Sequence, residues 1–206
     1  MTEASRRWLV VMAKEPRLGR VKSRLARDIG WVRATAFYRT TLRHALGRLS
    51  ADPRWSTVLA VTPDASVASA LWPGHALRCG QGPGGLGERM GHLMTGLPPG
   101  AVVIVGSDIP SLAPRHIARA FAELGSNDVV LGPAEDGGYW LIGLRAGARR
   151  IDPFSGVAWS SENTMADTLK QLEGHSVGLV DRLSDADDGK AYGRLRARAA
   201  RYVVRA

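Results

Sequence analysis

The chain has a single cysteine, Cys79, in 206 residues. A lone thiol excludes an intrachain disulfide and any zinc site built on cysteines. Long apolar runs are also missing. Nothing approaches the roughly 18 consecutive apolar residues of a membrane span. The first apolar segment, Trp8–Ala13, ends at Lys14 after six residues, too short for the core of a secretory signal. Acidic residues are scarce, with 19 Asp plus Glu against 28 Lys plus Arg and a formal net charge of +9. Internal repeats, low-complexity tracts and linkers are absent. Hydrophobic residues make up 45% and charged residues 23%. Those values lie near globular averages and exclude a disordered, collagen-like or fibrous chain. What remains is a cytoplasmic enzyme or binding protein, expected as one domain over residues 1–206. A chain of this size can bury roughly 70% of its unfolded surface, enough for one sizeable core.

A basic surplus suits nucleic acid, a membrane surface or anionic small molecules. Its distribution decides among them. Eight basic residues lie between Arg6 and Arg27, and six between Lys190 and Arg205. From Arg194 to Arg201 the arginines alternate mainly with alanines, with no aromatic side chain between them on which bases would stack. That stretch reads as the solvated face of a final helix, so no nucleic-acid partner is expected. The N-terminal set needs a different explanation, because it surrounds a loop.

Short apolar runs alternate with amphipathic stretches. Strands are expected at Trp8–Ala13, Thr57–Val61, Ala101–Val105, Asp128–Leu131, Tyr139–Leu144 and Val177–Val180. Several are apolar throughout, as in strands covered on both faces. Helices are expected at Trp31–Leu49, Leu86–Gly96, Pro114–Leu124, Glu162–Leu172 and Lys190–Ala200. Ser111 and Pro114 mark the start of the third, and Ile117, Phe121 and Leu124 fall on one face. The alternation argues an α/β fold with a mostly parallel central sheet. Only seven residues join Asp128–Leu131 to Tyr139–Leu144, so an antiparallel pair is expected there. Ala76–Cys79 reads as a poor strand.

In open α/β sheets, ligands bind at the carboxyl ends of strands. Three unusual segments fall at such ends. The first is Lys14-Glu-Pro-Arg-Leu-Gly19-Arg-Val-Lys22-Ser23-Arg24-Leu25. A basic loop with a glycine, leading from a strand towards a helix, is an anion site in the making. Arg24 can clamp phosphate oxygens in pairs, and Lys22 acts as a point charge. It is not a Walker A loop. The second segment, Gly106-Ser107-Asp108-Ile109-Pro110-Ser111-Leu112, sets a carboxylate just beyond a buried strand. Asp108 is a hard oxygen ligand suited to Mg²⁺ or Mn²⁺, while Ser111 is the better placed helix cap. The third, Gly132-Pro-Ala-Glu135-Asp136-Gly137-Gly138-Tyr139-Trp140, combines a turn signal with carboxylates. Asp136 there can contact sugar hydroxyls or act as a base.

Other signals are weaker. Gly82-Pro-Gly-Gly-Leu-Gly87 matches the dinucleotide pattern Gly-x-Gly-x-x-Gly, but it does not follow the first strand and lacks a downstream ribose-binding acid. It reads as a flexible loop beside a nucleotide. His44, His75, His92, His116 and His175 lack metal-ligand spacing, and no Gly-x-Ser-x-Gly nucleophile elbow is present.

Together the segments resemble the bacterial glycosyltransferase-like proteins of GT-A fold, the radical-SAM/selenodomain-associated transferase 1 type. That family's Lys-x-Pro-x-x-Gly-x-Val-Lys-Thr-Arg-Leu is met at Lys14 to Leu25, with Ser23 for Thr. Its Gly-Ser-Asp-x-Pro-x-Leu is met at Gly106 to Leu112, and its Leu-Gly-Pro-x-x-Asp-Gly-Gly-Tyr at Leu131 to Tyr139. Weaker matches fall at Gln81 to Met90, where Gly85 replaces an Asp, and at Trp159-Ser160-Ser161. The resemblance implies a three-layer, Rossmann-like nucleotide-diphospho-sugar transferase fold. Relatives of that fold include guanylyltransferases for molybdenum cofactor and for phospholactate. It further implies nucleotide phosphates held by Lys14, Gly19, Lys22, Ser23, Arg24, Gly87 and Ser107. Gly137, Gly138, Tyr139 and Trp159 would face substrate, with Asp136 acting on it. Asp108 would hold Mg²⁺ or Mn²⁺. A late Asp-x-Asp-Thr-Pro-x-Asp-Leu pattern survives only as Asp185-Ala186-Asp187, which leaves Asp185 a weaker second metal ligand.

The expected activity is glycosyl transfer from a nucleotide-sugar to an acceptor the sequence does not identify. The alternative is nucleotidyl transfer from a nucleoside triphosphate to a phosphorylated small molecule, releasing pyrophosphate. The nucleotidyltransferase loop Gly-x-Gly-Thr-Arg-Met is missing after the first strand, which ranks glycosyl transfer first. A non-catalytic nucleotide-binding protein is the third reading.

Overall fold

A computed structural model describes residues 6–73 and 76–195. Seven strands form one sheet: β1 (Arg7–Lys14), β2 (Ser56–Thr62), β3 (Leu77–Gly80), β4 (Ala101–Gly106), β5 (Val129–Pro133), β6 (Tyr139–Leu144) and β7 (Val177–Leu179). Their order is β3-β2-β1-β4-β6-β5-β7. All neighbours are parallel except β6, which runs antiparallel to both β4 and β5. The mostly parallel sheet and its antiparallel interruption match the sequence expectation.

Helices α1 (Ser23–Ile29), α2 (Trp31–Ser50), α3 (Leu86–Gly96), α4 (Pro114–Glu123) and α5 (Thr164–Gln171) pack around the sheet, α1 against α2. Alternate strand residues point to opposite faces, so β1 divides its apolar side chains between two cores. Leu9 and Val11 meet Tyr38, Leu42 and Leu46 of α2 and Ile117 and Phe121 of α4. Val10 points the other way, to Met90, Leu93 and Met94 of α3 and to Phe154. The result is three layers, with a sheet that is apolar on both sides.

The structure corrects the sequence reading in four places. Ala76–Cys79, expected to be a poor strand, overlaps the edge strand β3 (Leu77–Gly80), which pairs with β2. It lacks a buried face, and Leu77 is 65% exposed, so it carries no hydrophobic signature. Ser23–Ile29, not foreseen as a helix, is α1. The N-cap of α4 is Ala113, not Ser111, with Pro114 at the first helical position. The Ala113 N–H donates to His116 Nδ1 at 3.1 Å. The Gly82–Gly87 segment, expected to be flexible, is pinned: Asp64 accepts from the Gln81 and Gly82 N–H groups, and Glu88 from Gly85 N–H at 2.7 Å. The last expected helix is present over residues 189–195, and its remainder lies outside the described residues.

Candidate nucleotide and metal site

The chain leaves β1 for β2 and β3 on one side, then returns to place β4 on the other. The crevice between the carboxyl ends of β1 and β4 is therefore a topological switch point, where such sheets bind ligands. The Lys14–Arg24 loop leaves β1 at this edge, and Ser107–Asp108 leave β4 beside it. Because β6 is antiparallel, it begins at the same edge where β5 ends, and that brings the Ala134–Gly138 turn to the crevice. β7, parallel to β5, delivers the segment after it to this edge as well. Val180 N–H donates to Leu131 O, Leu183 N–H to Pro133 O and Trp140 Nε1 to Asp181 O. Asp185 and Asp187 are thus carried to Asp108.

These three aspartates form a cluster in which one carboxylate oxygen of each lies within 4.8 Å of the others. Lys22 is locked into it. Its ammonium donates to Asp108 Oδ2 at 2.8 Å and Asp187 Oδ1 at 2.7 Å, and stands 4.0 Å from Asp185 Oδ2. The Lys22 side chain is 4% exposed. Burial works to lower its pKa, but Asp108 and Asp187 outweigh burial and hold it raised. The Asp185 carboxyl is pushed up to about 7, first by burial and then by Asp187, with Asp108 and Asp136 adding and Lys22 opposing. One ammonium does not cancel the local negative charge. Ala113, not Asp108, caps the following helix, and the Asp108 carboxylate lies in the cluster.

Two lobes flank the aspartates. The basic lobe, about 380 Å³, is lined by Lys14, Arg20, Lys22, Ser23, Arg24, Ser107, Gln81 and Asp187 among others. A second lobe of about 290 Å³ is lined by Asp136, Gly138, Tyr139, Trp140, Trp159, Asp185 and the hydroxyl residues Ser160, Ser161 and Thr164. Asp108, Gly106, Met12 and Leu86 face both. Tyr38 ties the basic lobe together. Its hydroxyl accepts from Lys14 N–H at 3.0 Å, lies 3.0 Å from Lys14 O and 3.0 Å from Ser107 Oγ. Burial pushes the Tyr38 phenol up to about 12, so it stays protonated.

Three residues expected in the site lie outside its lining. Gly19 has φ +77° with open space around it and shapes the loop's turn. Gly87 packs in the first turn of α3, where a Cβ would come within 2.8 Å of the Trp159 ring. Gly137, with φ +86°, packs its backbone against Glu162. None of the three lines either lobe. Sequence reasoning missed Tyr38, which carries no local signal, and gave Gln81 no role beyond opening the weaker Gln81 to Met90 match. Asp187, left with Asp185 as a weak metal candidate by the truncated late pattern, stands in the cluster and accepts from Lys22.

The family model for "Uncharacterized protein conserved in bacteria (DUF2064)" matches residues 44–161, more than half of the chain. The chain belongs to this family. A 2-phospho-L-lactate guanylyltransferase from Methanopyrus kandleri is 31% identical over 189 residues, covering 89% of this chain and 92% of the relative. A crystal structure from Desulfovibrio desulfuricans G20, provisionally described as a nucleotide-diphospho-sugar transferase, superposes with a TM-score of 0.80. It is 26% identical and covers 91% of this chain and 84% of its own. The DUF2064 chain therefore has the GT-A, Rossmann-like nucleotide-diphospho-sugar transferase fold. A manganese complex of a Mycobacterium tuberculosis H37Rv protein shares that fold at a TM-score of 0.51 and 17% identity, covering 93% of this chain and 97% of its own. Among the described residues of this family member, no helix is long and apolar enough to cross a membrane.

Proposed function

We propose that the chain transfers a nucleotidyl group from a nucleoside triphosphate to a small acceptor, releasing pyrophosphate. One observation carries the reading: the Asp108–Asp185–Asp187 cluster is joined to Lys22 beneath the Lys14–Arg24 loop. Full-length likeness to a guanylyltransferase supports the same reaction. Lys14, Lys22, Arg24, Ser23 and Ser107 would hold the phosphates in the basic lobe, with Gln81 towards the nucleoside. Asp136 stands in the second lobe to position the acceptor and take its proton.

The cluster suits a divalent ion on its donor chemistry. Three carboxylates are hard oxygen ligands of the kind that hold Mg²⁺ or Mn²⁺, and Lys22 leaves part of their charge uncancelled. A manganese complex within the same fold agrees with that choice. Bound there, the ion would supply charge neutralisation to the departing pyrophosphate.

Glycosyl transfer from a nucleotide-sugar is the second reading, favoured by the Desulfovibrio neighbour and by the motifs shared with the radical-SAM-associated transferases. It uses the same cradle. We rank nucleotidyl transfer first because the likeness to a guanylyltransferase supports it more strongly than the missing Gly-x-Gly-Thr-Arg-Met loop counts against it. The test is a panel of nucleoside triphosphates and nucleotide-sugars with pooled small metabolites, in Mg²⁺ or Mn²⁺. Pyrophosphate release from one triphosphate, lost in Asp108→Asn with the fold intact, is expected. Nucleoside diphosphate release from a nucleotide-sugar, with every triphosphate untouched, would establish glycosyl transfer. Nucleotide binding without turnover of either would leave a non-catalytic binding protein.

A further inference from the structure

The two lobes differ in charge far more than in size. Four cations, Lys14, Arg20, Lys22 and Arg24, face the basic lobe. Among the described residues, none faces the other. Its charged groups are Asp108, Asp136 and Asp185, all acidic. A divalent ion together with the Lys22 ammonium would cancel the three clustered aspartates and leave Asp136 unmatched. A phosphorylated or carboxylated acceptor would then enter a lobe that offers no positive side chain and one surplus negative charge. Sites that bind phosphate or carboxylate groups normally present Arg or Lys to them.

The walls of this lobe point elsewhere. Tyr139 and Trp159 meet edge to face, with centroids 6.3 Å apart and planes at 76°. Trp140, the next residue of β6, turns its ring to the other face of the sheet, against His116. Ser160 stands at the lip, exposed, with φ +60°. A non-glycine residue held in the left-handed region marks a position fixed by its surroundings, and such positions cluster at ligand sites. Thr164 and Ser161 spend their hydroxyl protons on backbone carbonyls, whereas among the described residues the Ser160 hydroxyl has no hydrogen-bond partner. Aromatic walls, one available hydroxyl and carboxylates that accept hydrogen bonds suit a ring that carries hydroxyl groups and no anionic group.

We infer that the second substrate is an uncharged, hydroxyl-bearing ring compound, seated between Tyr139, Trp159 and Asp136, and not a phosphorylated acid of the kind named for the Methanopyrus relative. The charge argument stands on the lobe itself; the chemistry rests on the nucleotidyl-transfer reading. On that reading an acceptor hydroxyl oxygen forms a bond to the α-phosphorus of the triphosphate. The bond from that phosphorus to the oxygen bridging to the β-phosphorus breaks, and pyrophosphate leaves. The hydroxyl proton passes to Asp136. The product is a nucleoside monophosphate ester, not a nucleoside diphosphate derivative.

The test uses matched pairs: D-ribose, D-glucose and myo-inositol, each against its monophosphate. Binding is read by saturation-transfer NMR with Mg²⁺ and a saturating non-hydrolysable triphosphate analogue, which keeps phosphates out of the basic lobe. Pyrophosphate release is read in parallel with hydrolysable triphosphates. At least one neutral member should bind, with its monophosphate at least tenfold weaker. Ser160→Lys should strengthen the monophosphate about tenfold, the size of one charged hydrogen bond. That gain cannot come from misfolding. Equal or tighter binding of the monophosphates by the unaltered chain would overturn the inference, as would failure of every neutral member to bind. Pyrophosphate release with a monophosphate would overturn it while upholding nucleotidyl transfer. Neutral members that bind and yield no pyrophosphate would support the inference and count against nucleotidyl transfer.

Discussion

Lys22 has φ 51° and ψ 48° and caps α1 without a side-chain hydrogen bond to the helix. A left-handed lysine costs about 1–2 kcal/mol of backbone strain. The compensation is visible at its other end, where the ammonium meets Asp108 and Asp187 at 2.8 and 2.7 Å. The strain aims the side chain into the aspartate cluster. Charged hydrogen bonds of this kind contribute roughly 1.5–3 kcal/mol. Lys22→Ala should therefore weaken nucleoside triphosphate binding by about tenfold or more and leave nucleoside binding unchanged, as read by calorimetry. Arg24, whose side chain is 74% exposed and 3.7 Å from Asp187, should matter less in the same titration. Equal losses for Lys22→Ala and Arg24→Ala would contradict the geometry. At this scale the sequence showed the residue types but not their partners. Lys22 and Asp108 are 86 positions apart, and Lys22 and Asp187 are 165. Only the sheet brings them into one crevice.

At the scale of elements, the site hangs on how β5, β6 and α5 are joined. Gly137 has φ +86°, and a Cβ there would lie 2.1 Å from the Glu162 carbonyl oxygen. Its own carbonyl accepts from Met165 N–H at 3.0 Å, docking the turn onto the start of α5. Its neighbour Gly138 has no such clash, with Asp136 Oδ1 at 3.3 Å as the nearest atom to a Cβ. Gly137→Ala should cost about 2–4 kcal/mol, from overpacking together with the left-handed backbone, and Gly138→Ala much less. Thermal unfolding of the two variants separates them, and similar melting temperatures would refute this account of the turn. Asp128 joins the far ends of the same strands. It pairs with Arg145 and accepts from Ser176 N–H at 3.2 Å and Ser176 Oγ at 2.9 Å. Hydrogen bonds from Arg145 and then Ser176 hold its carboxyl down at about 2. The folded pKa lies below the unfolded value of about 3.9. Its stabilisation is thus present above pH ~4 and lost as pH falls towards 2. Asp128→Asn should lower the melting temperature at pH 7 and converge with the parent chain near pH 2. A constant difference across that window would show that Asp128 plays no ionic part. Strands with two covered faces were legible as apolar runs. β3 and α1 were not, because an edge strand with an exposed Leu77 and a helix capped by a strained lysine follow neither periodicity nor cap rules.

Across the whole molecule, one sheet edge gathers every motif the sequence marked as unusual. The antiparallel β6 is the reason for the third, since it turns the Asp136 segment back to the crevice that β1 and β4 define. Lys14, Arg20, Lys22 and Arg24 line the basic lobe, while the second lobe carries only acidic charged groups and the rings of Tyr139 and Trp159. On the proposed reading, that division would seat a triphosphate on one side of the aspartates and an uncharged acceptor on the other. The most direct measurement follows the phosphorus. Guanosine and cytidine triphosphates labelled with ³²P at the α or the γ position are incubated with the chain, Mg²⁺ and the neutral fraction of a small-metabolite extract. With one of them, the account requires α-label in a nucleoside monophosphate ester, γ-label in pyrophosphate, and neither transfer in Asp108→Asn. Both labels remaining in triphosphate, while a nucleotide-sugar is converted to nucleoside diphosphate, would contradict it.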